Sequence, residues 1–282
     1  MNYKLALFSF LIMLCVGLPS FSKDVATDKP SYCIYNNYIH LNGQNNFRDL
    51  GGYVGANGKR IVYRKLFRSG DISKLNNADL DTITSLHIDQ VIDLCTKAEI
   101  ASAPDKLPAG VESYNFPLIA DVSGGAGSSF MEAIISGKIT ANRYMLSIYG
   151  TIDSLKIANW KHLFLLLQAG KTSLWHCSAG KDRTGMTTVL VLSSLGVDSV
   201  TIAHDFMASN QYLNKSIESM VATINAANGT GVGDKLRPLF GVDESYIAAF
   251  YKAINDKYGN MDNFLTQLGV DKAKMQNYYL EK

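Results

Sequence analysis

Two residues whose types could do chemistry together, Cys177 and Arg183, stand six positions apart in a short loop. The loop follows a strand-like segment that ends at Trp175 and precedes a helical pattern that begins near Arg183. A loop that enters a helix amino terminus points several backbone N–H groups into one concavity, and that arrangement favours an anion. The same field stabilises a cysteine thiolate, so we expect Cys177 to be ionised at neutral pH. The planar guanidinium of Arg183 can bind two phosphate oxygens and the charge that develops on them during transfer.

This spacing predicts an enzyme that cleaves phosphomonoesters through a phosphocysteine intermediate, with Cys177 as nucleophile and Arg183 as the phosphate clamp. The other loop residues that we expect to contact the phosphate are Ser178, Ala179, Gly180 and Lys181. Gly180 and Gly185 leave room for the backbone to approach the ligand.

Two neighbours of these residues have supporting roles in this interpretation. We expect His176 to hydrogen-bond the loop and to steady the thiolate, although a satisfied core histidine would fit the same position. The Thr184 hydroxyl can donate toward the Cys177 sulfur and help it to leave in the hydrolysis step, or it can be a simple first-turn hydroxyl.

The reaction also needs a general acid, because the leaving oxygen must be protonated as its bond to phosphorus breaks. Asp182 lies inside the loop and needs no lid closure, so it is the preferred candidate. Asp121, which follows a predicted strand, is the alternative, and both could instead be structural. Asp49 and Asp121 could also orient Arg48 or Arg183.

The predicted secondary structure places this loop at the end of a strand. Apolar segments predict strands over residues 91–94, 111–116 and 172–176. Apolar residues at helical spacing predict helices over residues 77–86, 160–170 and 183–196 and throughout the carboxyl-terminal part. Asn77 fits as the cap of the first of these helices. The alternation predicts a single α/β domain with a central sheet of parallel strands flanked by helices.

A flexible insertion is predicted at mid-chain. Residues 123–129 are rich in glycine and serine, a composition typical of loops. We expect the segment from Ser123 to Tyr144 to cover the active site as a mobile lid.

The composition suits one sizeable globular domain. The 282 residues are 47% hydrophobic and 18% charged, which argues against a disordered chain. The net charge of +2 is too small to indicate a nucleic-acid-binding surface. The five histidines form no pair at the short spacing of a metal site. We therefore expect no metal, no cofactor and no nucleic-acid partner.

The amino terminus has the layout of a secretory signal peptide. Lys4 precedes an apolar run from Leu5 to Leu18 that is shorter than the roughly 20 residues needed to cross a bilayer, so we expect no stable membrane anchor. Ser22 is a small residue of the kind that precedes a cleavage site. We predict an exported protein, periplasmic or secreted. Its predicted parts are a signal peptide over residues 1–22, a leader over 23–39 and a catalytic domain over 40–282.

Cleavage of the signal peptide would leave three cysteines, Cys33, Cys95 and Cys177. An odd number in an exported protein leaves at least one free thiol. Cys33 and Cys95 could form a disulfide, in which case the free thiol is Cys177. They could equally be ordinary buried small residues.

Several stretches of the chain resemble one family. The loop from His176 to Gly185 resembles the signature loop of protein tyrosine phosphatases. Its Gly-Lys-Asp-Arg-Thr-Gly form is similar to that of the bacterial branch that includes secreted tyrosine and lipid phosphatases. Further resemblance to that branch lies in residues 46–53 and 67–70 and in Asp205, Ser209 and Asn210. The resemblance covers about residues 40–280, with one departure, since Cys95 stands where the family usually has an arginine.

The resemblance implies a tyrosine-phosphatase-like fold and a phosphorylated protein or an inositol phospholipid as substrate. It implies that Asp182 acts as acid and then as base for the attacking water. Lys181 resembles a cation of the lipid-active members, so we expect use of both phosphotyrosine and phosphoinositides, unless Lys181 faces solvent or pairs with a carboxylate. Arg48, within the first motif, is expected to contact phosphate as well.

Two other classes of protein could use such a loop. A non-catalytic phosphate-binding module should have lost Cys177 or Arg183, and this chain has lost neither. Another thiol enzyme, such as a sulfurtransferase or an arsenate reductase, would not explain the motif over residues 46–53.

Overall fold

The computed structural model describes residues 37–121 and 126–282. The predicted signal peptide, Cys33 and most of the predicted leader lie outside these ranges, as do the first residues of the predicted lid. Export of the protein therefore stays a prediction.

A five-stranded sheet forms the centre of the described chain, in the order β1-β2-β5-β3-β4. Its strands are β1 (Arg48–Asp49), β2 (Leu66–Ser69), β3 (Gln90–Asp93), β4 (Glu112–Asn115) and β5 (Ser173–His176). The short edge strand β1 is antiparallel to β2, and all other neighbours are parallel. The three central strands are buried at every residue, as parallel strands are when helices cover both faces of a sheet.

Helices surround this sheet and form most of the carboxyl-terminal half. They are α1 (Asn77–Ser85), α2 (Lys97–Ser102), α3 (Ala126–Ile135), α4 (Ala141–Gly150), α5 (Ser154–Leu167), α6 (Arg183–Ser194), α7 (Ser199–Asn228), α8 (Val232–Phe240), α9 (Glu244–Tyr258), α10 (Met261–Gln267) and α11 (Lys272–Tyr279). The predicted α/β fold is confirmed, as are the three predicted strands and the predicted helices α1, α5 and α6.

The cap of α1 differs by one residue from the prediction. Asn76, not Asn77, is the N-cap: its side chain accepts from the Asp79 N–H, and the Asp79 side chain accepts from the Asn76 N–H. This reciprocal capping box begins the helix one residue earlier, because the second asparagine is already in helical conformation.

The core joins the sheet to the carboxyl-terminal helices through buried aromatic residues. Trp160 on α5 packs against Phe250 and Phe264, and its indole N–H donates to the Thr187 hydroxyl on α6 (3.0 Å). Trp175 in β5 makes the equivalent contact with Thr188 (3.0 Å). The two tryptophans thus fix α6, the helix that the candidate loop enters, by packing and by hydrogen bonds.

The later part of the predicted lid is helical. Met131, Ile134 and Ala141 of α3 and α4 pack in one apolar cluster with Ile224 of α7 and Leu236 of α8. The segment therefore rests on other helices, and its predicted mobility stays a prediction. Within the described ranges, no helix combines the length and the apolar character that crossing a membrane requires.

The contribution of α11, the last helix, to stability can be tested at Tyr279. Its buried hydroxyl lies 2.6 Å from the carbonyl oxygen of Leu167, the last residue of α5, and 3.0 Å from that of Lys171, in the connection before β5. We expect Tyr279→Phe to lower the free energy of unfolding by about 1 to 2 kcal/mol in urea titrations. The control is Tyr278→Phe, since Tyr278 is 41% exposed, and it should change stability by less than about 0.5 kcal/mol. Equal losses of unfolding free energy in both variants would contradict a stabilising role of the Tyr279 hydrogen bonds.

Candidate active site

The loop of residues 177–182 joins the carboxyl end of β5 to the amino end of α6. Asp182 is the N-cap of α6, yet its side chain makes no capping hydrogen bond. The first-turn N–H groups of a helix have no partner within the helix. They are therefore available to an anion at the place where the sequence predicted one.

The carbonyl groups of this loop accept hydrogen bonds from residues outside the loop. The Asn46 side-chain amide donates to the carbonyls of Ala179 and Gly180 (both 3.0 Å), and Arg68 donates to that of Gly180 (2.8 Å). The Asp71 N–H donates to the Ser178 carbonyl (2.8 Å). With their carbonyls turned away, these peptide units are arranged to present N–H groups on the other side.

Gly180 is required by two features of this turn. Its φ of +71° lies in the left-handed region that glycine adopts without strain. A Cβ at this position would lie 2.4 Å from backbone atoms of Ser69 and Gly70. The loop therefore packs directly on the end of β2, and no side chain fits between them.

A buried ion-pair network supports the same face. Asp205 on α7 binds Arg48 (2.9 Å) and Arg68 (2.6 Å), and all three side chains are at least 98% buried. Burial opposes the charge on Asp205, but the two guanidinium groups outweigh it and lower the pKa of that carboxyl group. For Arg68, burial and the nearby Arg48 lower the pKa to about 10, and Asp205 acts in the opposite direction.

The expectation that Arg48 contacts phosphate is corrected by this geometry. Besides Asp205, its guanidinium donates to the side chain and carbonyl of Asn46 and to the hydroxyl of Ser209. Its donors are therefore occupied inside the protein, and Arg48 positions Asn46 instead. Asp49 does not orient Arg48 either, because it accepts from the N–H groups of Gly51 and Arg64 (both 2.8 Å).

Arg183 is held by a residue that the sequence analysis missed. Glu99 on α2 accepts two hydrogen bonds from Arg183, at 2.6 and 2.7 Å. Burial alone would lower the pKa of Arg183, but the charges of Cys177 and Glu99 raise it. The available signal was the capping box of Thr96 and Glu99, which begins α2 directly after β3.

Ser178 lies beside Arg183, and its predicted contact with phosphate stays a prediction. Its hydroxyl accepts a hydrogen bond from Nη2 of Arg183 at 3.0 Å. Glu99, the Leu94 carbonyl and Ser178 take the N–H groups of both Nη atoms, so a phosphate oxygen bound at this edge would replace Ser178 as the acceptor from Nη2.

His176 is buried beside Cys177 and binds an acidic residue. Its Nε2 lies 3.0 Å from Asp105, and its Nδ1 lies 3.9 Å from Asp93. Burial disfavours the charged ring, yet Asp105, Asp93 and the Cys177 charge together raise the pKa of His176 to about 9. The Nδ1 atom has no hydrogen-bond partner among the described residues, so the predicted hydrogen bond from the His176 ring to the loop is absent, and the stabilising effect of His176 on a Cys177 thiolate stays a prediction.

Thr184 does not make its predicted contact. Its hydroxyl is buried and has no hydrogen-bond partner in the part of the chain that the structure describes. Donation to the Cys177 sulfur is therefore absent from this arrangement.

The two candidate acids have different surroundings. Asp182 accepts from the hydroxyl of Tyr149 (2.8 Å) and from the ammonium group of Lys181 (2.7 Å). Asp121 is exposed, and its carboxylate accepts from the N–H of Ala98 (3.2 Å) at the start of α2. Asp182 lies in the loop, whereas Asp121 is hydrogen-bonded to the helix that carries Glu99, and the choice between them as general acid stays a prediction.

Tyr149 on α4 is a second functional residue that the sequence did not reveal. It is 1% exposed and packs against Phe206 and Tyr246. Burial and the neighbouring Asp182 raise the pKa of its hydroxyl well above the usual value, so it remains a donor. Lys181 likewise donates to Asp182 and to the Gly241 carbonyl (3.0 Å). Its contact with Asp182 is the pairing with a carboxylate that the sequence analysis left open.

One group of side chains could hold a metal ion. One oxygen, sulfur or nitrogen atom from each of Asp93, Cys95 and His176 lies within 4.8 Å of the others. Burial raises the pKa of the Cys95 thiol far above its ordinary range, and that of His176 is raised as well. Both groups would have to lose a proton before they could bind a metal ion.

The raised pKa of His176 predicts a pH dependence of stability. An unfolded histidine titrates near 6.5, so the stability that His176 contributes is fully present below about pH 6.5 and is lost as the pH rises through about 9. We expect the free energy of unfolding to fall by about 1 kcal/mol per pH unit in this window, relative to His176→Gln. The exposed His40→Gln should keep the wild-type slope. Denaturant titrations at several pH values measure both, and the same slope in His176→Gln would refute the assignment.

Comparison with known proteins identifies the family of this chain. A sequence model of the tyrosine phosphatase family matches residues 39–281. A protein of Cupriavidus necator named as a tyrosine-protein phosphatase is 31% identical over 239 residues, and the match covers 83% of this chain and 85% of that protein. PtpB of Mycobacterium tuberculosis, named a triple specificity protein phosphatase, is 29% identical over 268 residues, with 83% and 94% covered.

Among solved structures, P. aeruginosa TpbA is 18% identical and matches 63% of this chain and 88% of its own. Its TM-score of 0.31 is too low to support an argument. The family match spans nearly all of the described chain, and it shows that this protein is a phosphatase that belongs to the tyrosine phosphatase family.

Proposed function

We propose that this phosphatase hydrolyses phosphomonoesters in two steps through a phosphocysteine intermediate at Cys177. The proposal is based on two observations. Asn46 and Arg68 donate hydrogen bonds to carbonyl groups of the loop, and Glu99 fixes Arg183 beside the loop. Such a loop can hold three phosphate oxygens with N–H groups and a guanidinium, and these contacts stabilise the charge of the transferring phosphoryl group.

In the first step the Cys177 thiolate attacks phosphorus, and the bond from phosphorus to the leaving oxygen breaks. Asp182 gives its proton to that oxygen. In the second step Asp182 takes a proton from water, the water oxygen attacks phosphorus, and the sulfur–phosphorus bond breaks to release inorganic phosphate. The positive His176 favours the thiolate as attacking group and again as leaving group.

Asp182 also favours an enzyme over a non-catalytic phosphate-binding module. A carboxylate next to bound phosphate weakens binding through like-charge repulsion. This loop nevertheless holds one, fixed by Tyr149 and Lys181. A fixed carboxylate is useful where a proton must move, and a thiol enzyme without phosphate as substrate would not need the amide cradle.

We propose phosphotyrosine as the principal group, with phosphoinositides as the second candidate. Lys181 gives the lipid candidate limited support, because two of its three N–H donors are used by Asp182 and Gly241. Among the described residues one donor is left, on a side chain that is only 4% exposed. The relative named for triple specificity is the other reason to keep both candidates.

The nucleophile and the clamp can be tested on an aryl phosphate without added metal. Cys177→Ser should abolish turnover, and vanadate should inhibit the unmodified enzyme. Arg183→Ala should lower kcat/KM by about 100-fold or more, since one oxyanion contact contributes roughly 3 to 4 kcal/mol. Arg143→Ala removes an exposed arginine from α4 and should leave the rate unchanged. A Cys177→Ser protein with its rate intact would rule out the mechanism.

The acid can be tested by the leaving group. A phosphotyrosine peptide has an aryl leaving group, whereas phosphoserine peptides and phosphoinositides have alkyl ones that depend more on protonation. Asp182→Asn should slow the alkyl substrates about 100-fold more than an activated aryl phosphate. Tyr149→Phe should produce the same pattern at about a tenth of the size, because it removes a hydrogen bond to the acid and not the acid itself.

Two controls separate this effect from loss of structure. Tyr144→Phe alters a half-buried tyrosine of α4 that does not contact Asp182 and should behave as wild type. Asp121→Asn should slow all substrates equally or not at all. A selective loss in Asp121→Asn but not in Asp182→Asn would move the acid to Asp121. With the unmodified enzyme, activity confined to phosphopeptides would remove the lipid candidate.

A further inference from the structure

Three side chains of different chemistry, Asp93, Cys95 and His176, converge at the ends of β3 and β5. Asp93 is in register with His176 on the neighbouring parallel strand, so their side chains lie on the same face of the sheet. Cys95 follows Asp93 by two residues, the spacing that returns a side chain to the same face. One oxygen, sulfur or nitrogen atom of each residue therefore lies within 4.8 Å of the other two.

The Nδ1 atom of His176 is a buried polar atom without a partner. The residue is 1% exposed, and Nδ1 makes no hydrogen bond to any residue that the structure describes. It lies 3.9 Å from the Asp93 carboxylate, which is beyond hydrogen-bonding distance. An unpaired buried polar atom costs free energy, and a bound ion between Nδ1 and the carboxylate would remove that cost.

The other ring nitrogen of His176 has the environment that metal-binding histidines have. Nε2 lies 3.0 Å from the carboxylate of Asp105. A histidine that binds a metal through one nitrogen almost always donates the N–H of the other to a carboxylate, a carbonyl or water, which fixes the tautomer. Donation from Nε2 to Asp105 leaves the lone pair on Nδ1, the ring nitrogen nearest Asp93.

The backbone around Asp93 and Cys95 is fixed by hydrogen bonds. The Asn115 side chain on β4 donates to the carbonyls of Asp93 (3.0 Å) and Cys95 (2.9 Å). A tetrahedral zinc ion with bonds of about 2.0 to 2.3 Å needs donor atoms about 3.5 Å apart. Rotation of the Cys95 and Asp93 side chains can supply the remaining approach while Asn115 holds the backbone.

The cluster can exchange two protons for one divalent ion. Burial raises the pKa of the Cys95 thiol, so the thiol is protonated in the metal-free protein. Burial alone would lower the pKa of His176, but Asp105 and Asp93 outweigh it, so the ring is protonated as well. A divalent cation that replaces these two protons leaves the net charge unchanged. The guanidinium of Arg183, whose charge acts on Cys95, therefore meets no additional positive charge.

We propose that Asp93, Cys95 and His176 form a binding site for Zn²⁺. An imidazole nitrogen, a thiolate and a carboxylate oxygen suit this ion, whereas Mg²⁺ and Ca²⁺ prefer oxygen ligands alone. On binding, the Cys95 S–H and the His176 Nδ1–H protons pass to solvent, and water completes the tetrahedron. The site does not depend on the reaction proposed at Cys177. It departs from the expectation of no metal, which considered only histidines close together in the sequence.

The experiment uses the untagged full chain with Cys177→Ser, which removes the nearby thiol as a competing ligand. Asp93 and Cys95 are only 5% and 6% exposed, so the ion enters by local opening and long incubation is needed. After treatment with a chelator and dialysis against Zn²⁺, elemental analysis should find one zinc ion per chain, retained in excess Mg²⁺. X-ray absorption should show one sulfur at about 2.3 Å and nitrogen or oxygen atoms at about 2.0 to 2.2 Å from zinc.

Variants in the Cys177→Ser background assign the ligands. With Co²⁺ in place of Zn²⁺, the parent should show a near-ultraviolet charge-transfer band from a cobalt–sulfur bond, and Cys95→Ser should lose it. Asp105→Asn should keep the band and weaken zinc binding by about 10- to 100-fold. The control Cys15→Ala/Cys33→Ala removes both thiols that lie outside the described residues and should bind as the parent does.

Three results would overturn the zinc site: zinc without a sulfur ligand, a cobalt–sulfur band that survives Cys95→Ser, or a band that disappears in Cys15→Ala/Cys33→Ala. Equal binding of Mg²⁺ would overturn it as well. X-ray absorption on the parent needs no change at the three ligands, so a Cys95→Ser protein that fails to fold leaves the test decisive. None of these measurements requires turnover, so an inactive enzyme would count against the proposed function alone.

Discussion

The structure depends on keeping the carbonyl groups of one short loop away from its concave face. A peptide unit carries its N–H and its C=O on opposite sides, so a loop can offer N–H groups to an anion only where its carbonyls have partners elsewhere. Here the partners are Asn46, Arg68 and Asp71, all in or beside the first two strands. Asp205 in turn holds Arg48 and Arg68, which would otherwise be buried positive charges without a counterion.

This constraint explains the role of sequence motifs that the family resemblance identified without giving their function. Residues 46–53 and 67–70 and Asp205 stood out in the sequence, yet their residue types suggested contact with phosphate as readily as support of the loop. The strand, loop and helix around Cys177 were predictable, because apolar runs and glycines mark them locally. The role of Arg48 was not, since it depends on Asp205, which lies 157 residues further along the chain.

The two residues that complete the site were hidden for a similar reason. Glu99 looks like an ordinary capping residue of a six-residue helix, and only the placement of β3 beside β5 brings it to Arg183. Tyr149 looks like one core aromatic residue of α4, and its hydroxyl reaches Asp182 only because α4 packs near α9 through the Tyr149–Tyr246 pair. Local patterns reveal elements, whereas these contacts arise from the packing between them.

The distances along the chain have a consequence for how the enzyme comes into being. Arg68 reaches Gly180 across 112 residues, Arg183 reaches Glu99 across 84, and Arg48 reaches Asp205 across 157. Contacts between such remote segments form late, because the loop-closure entropy must be overcome before they contribute. When Cys177 of a nascent chain has just left the ribosome, α7 with Asp205 has not yet emerged. Phosphatase activity should therefore arise only with the last cooperative step of folding. A partly folded chain should not hydrolyse phosphate esters.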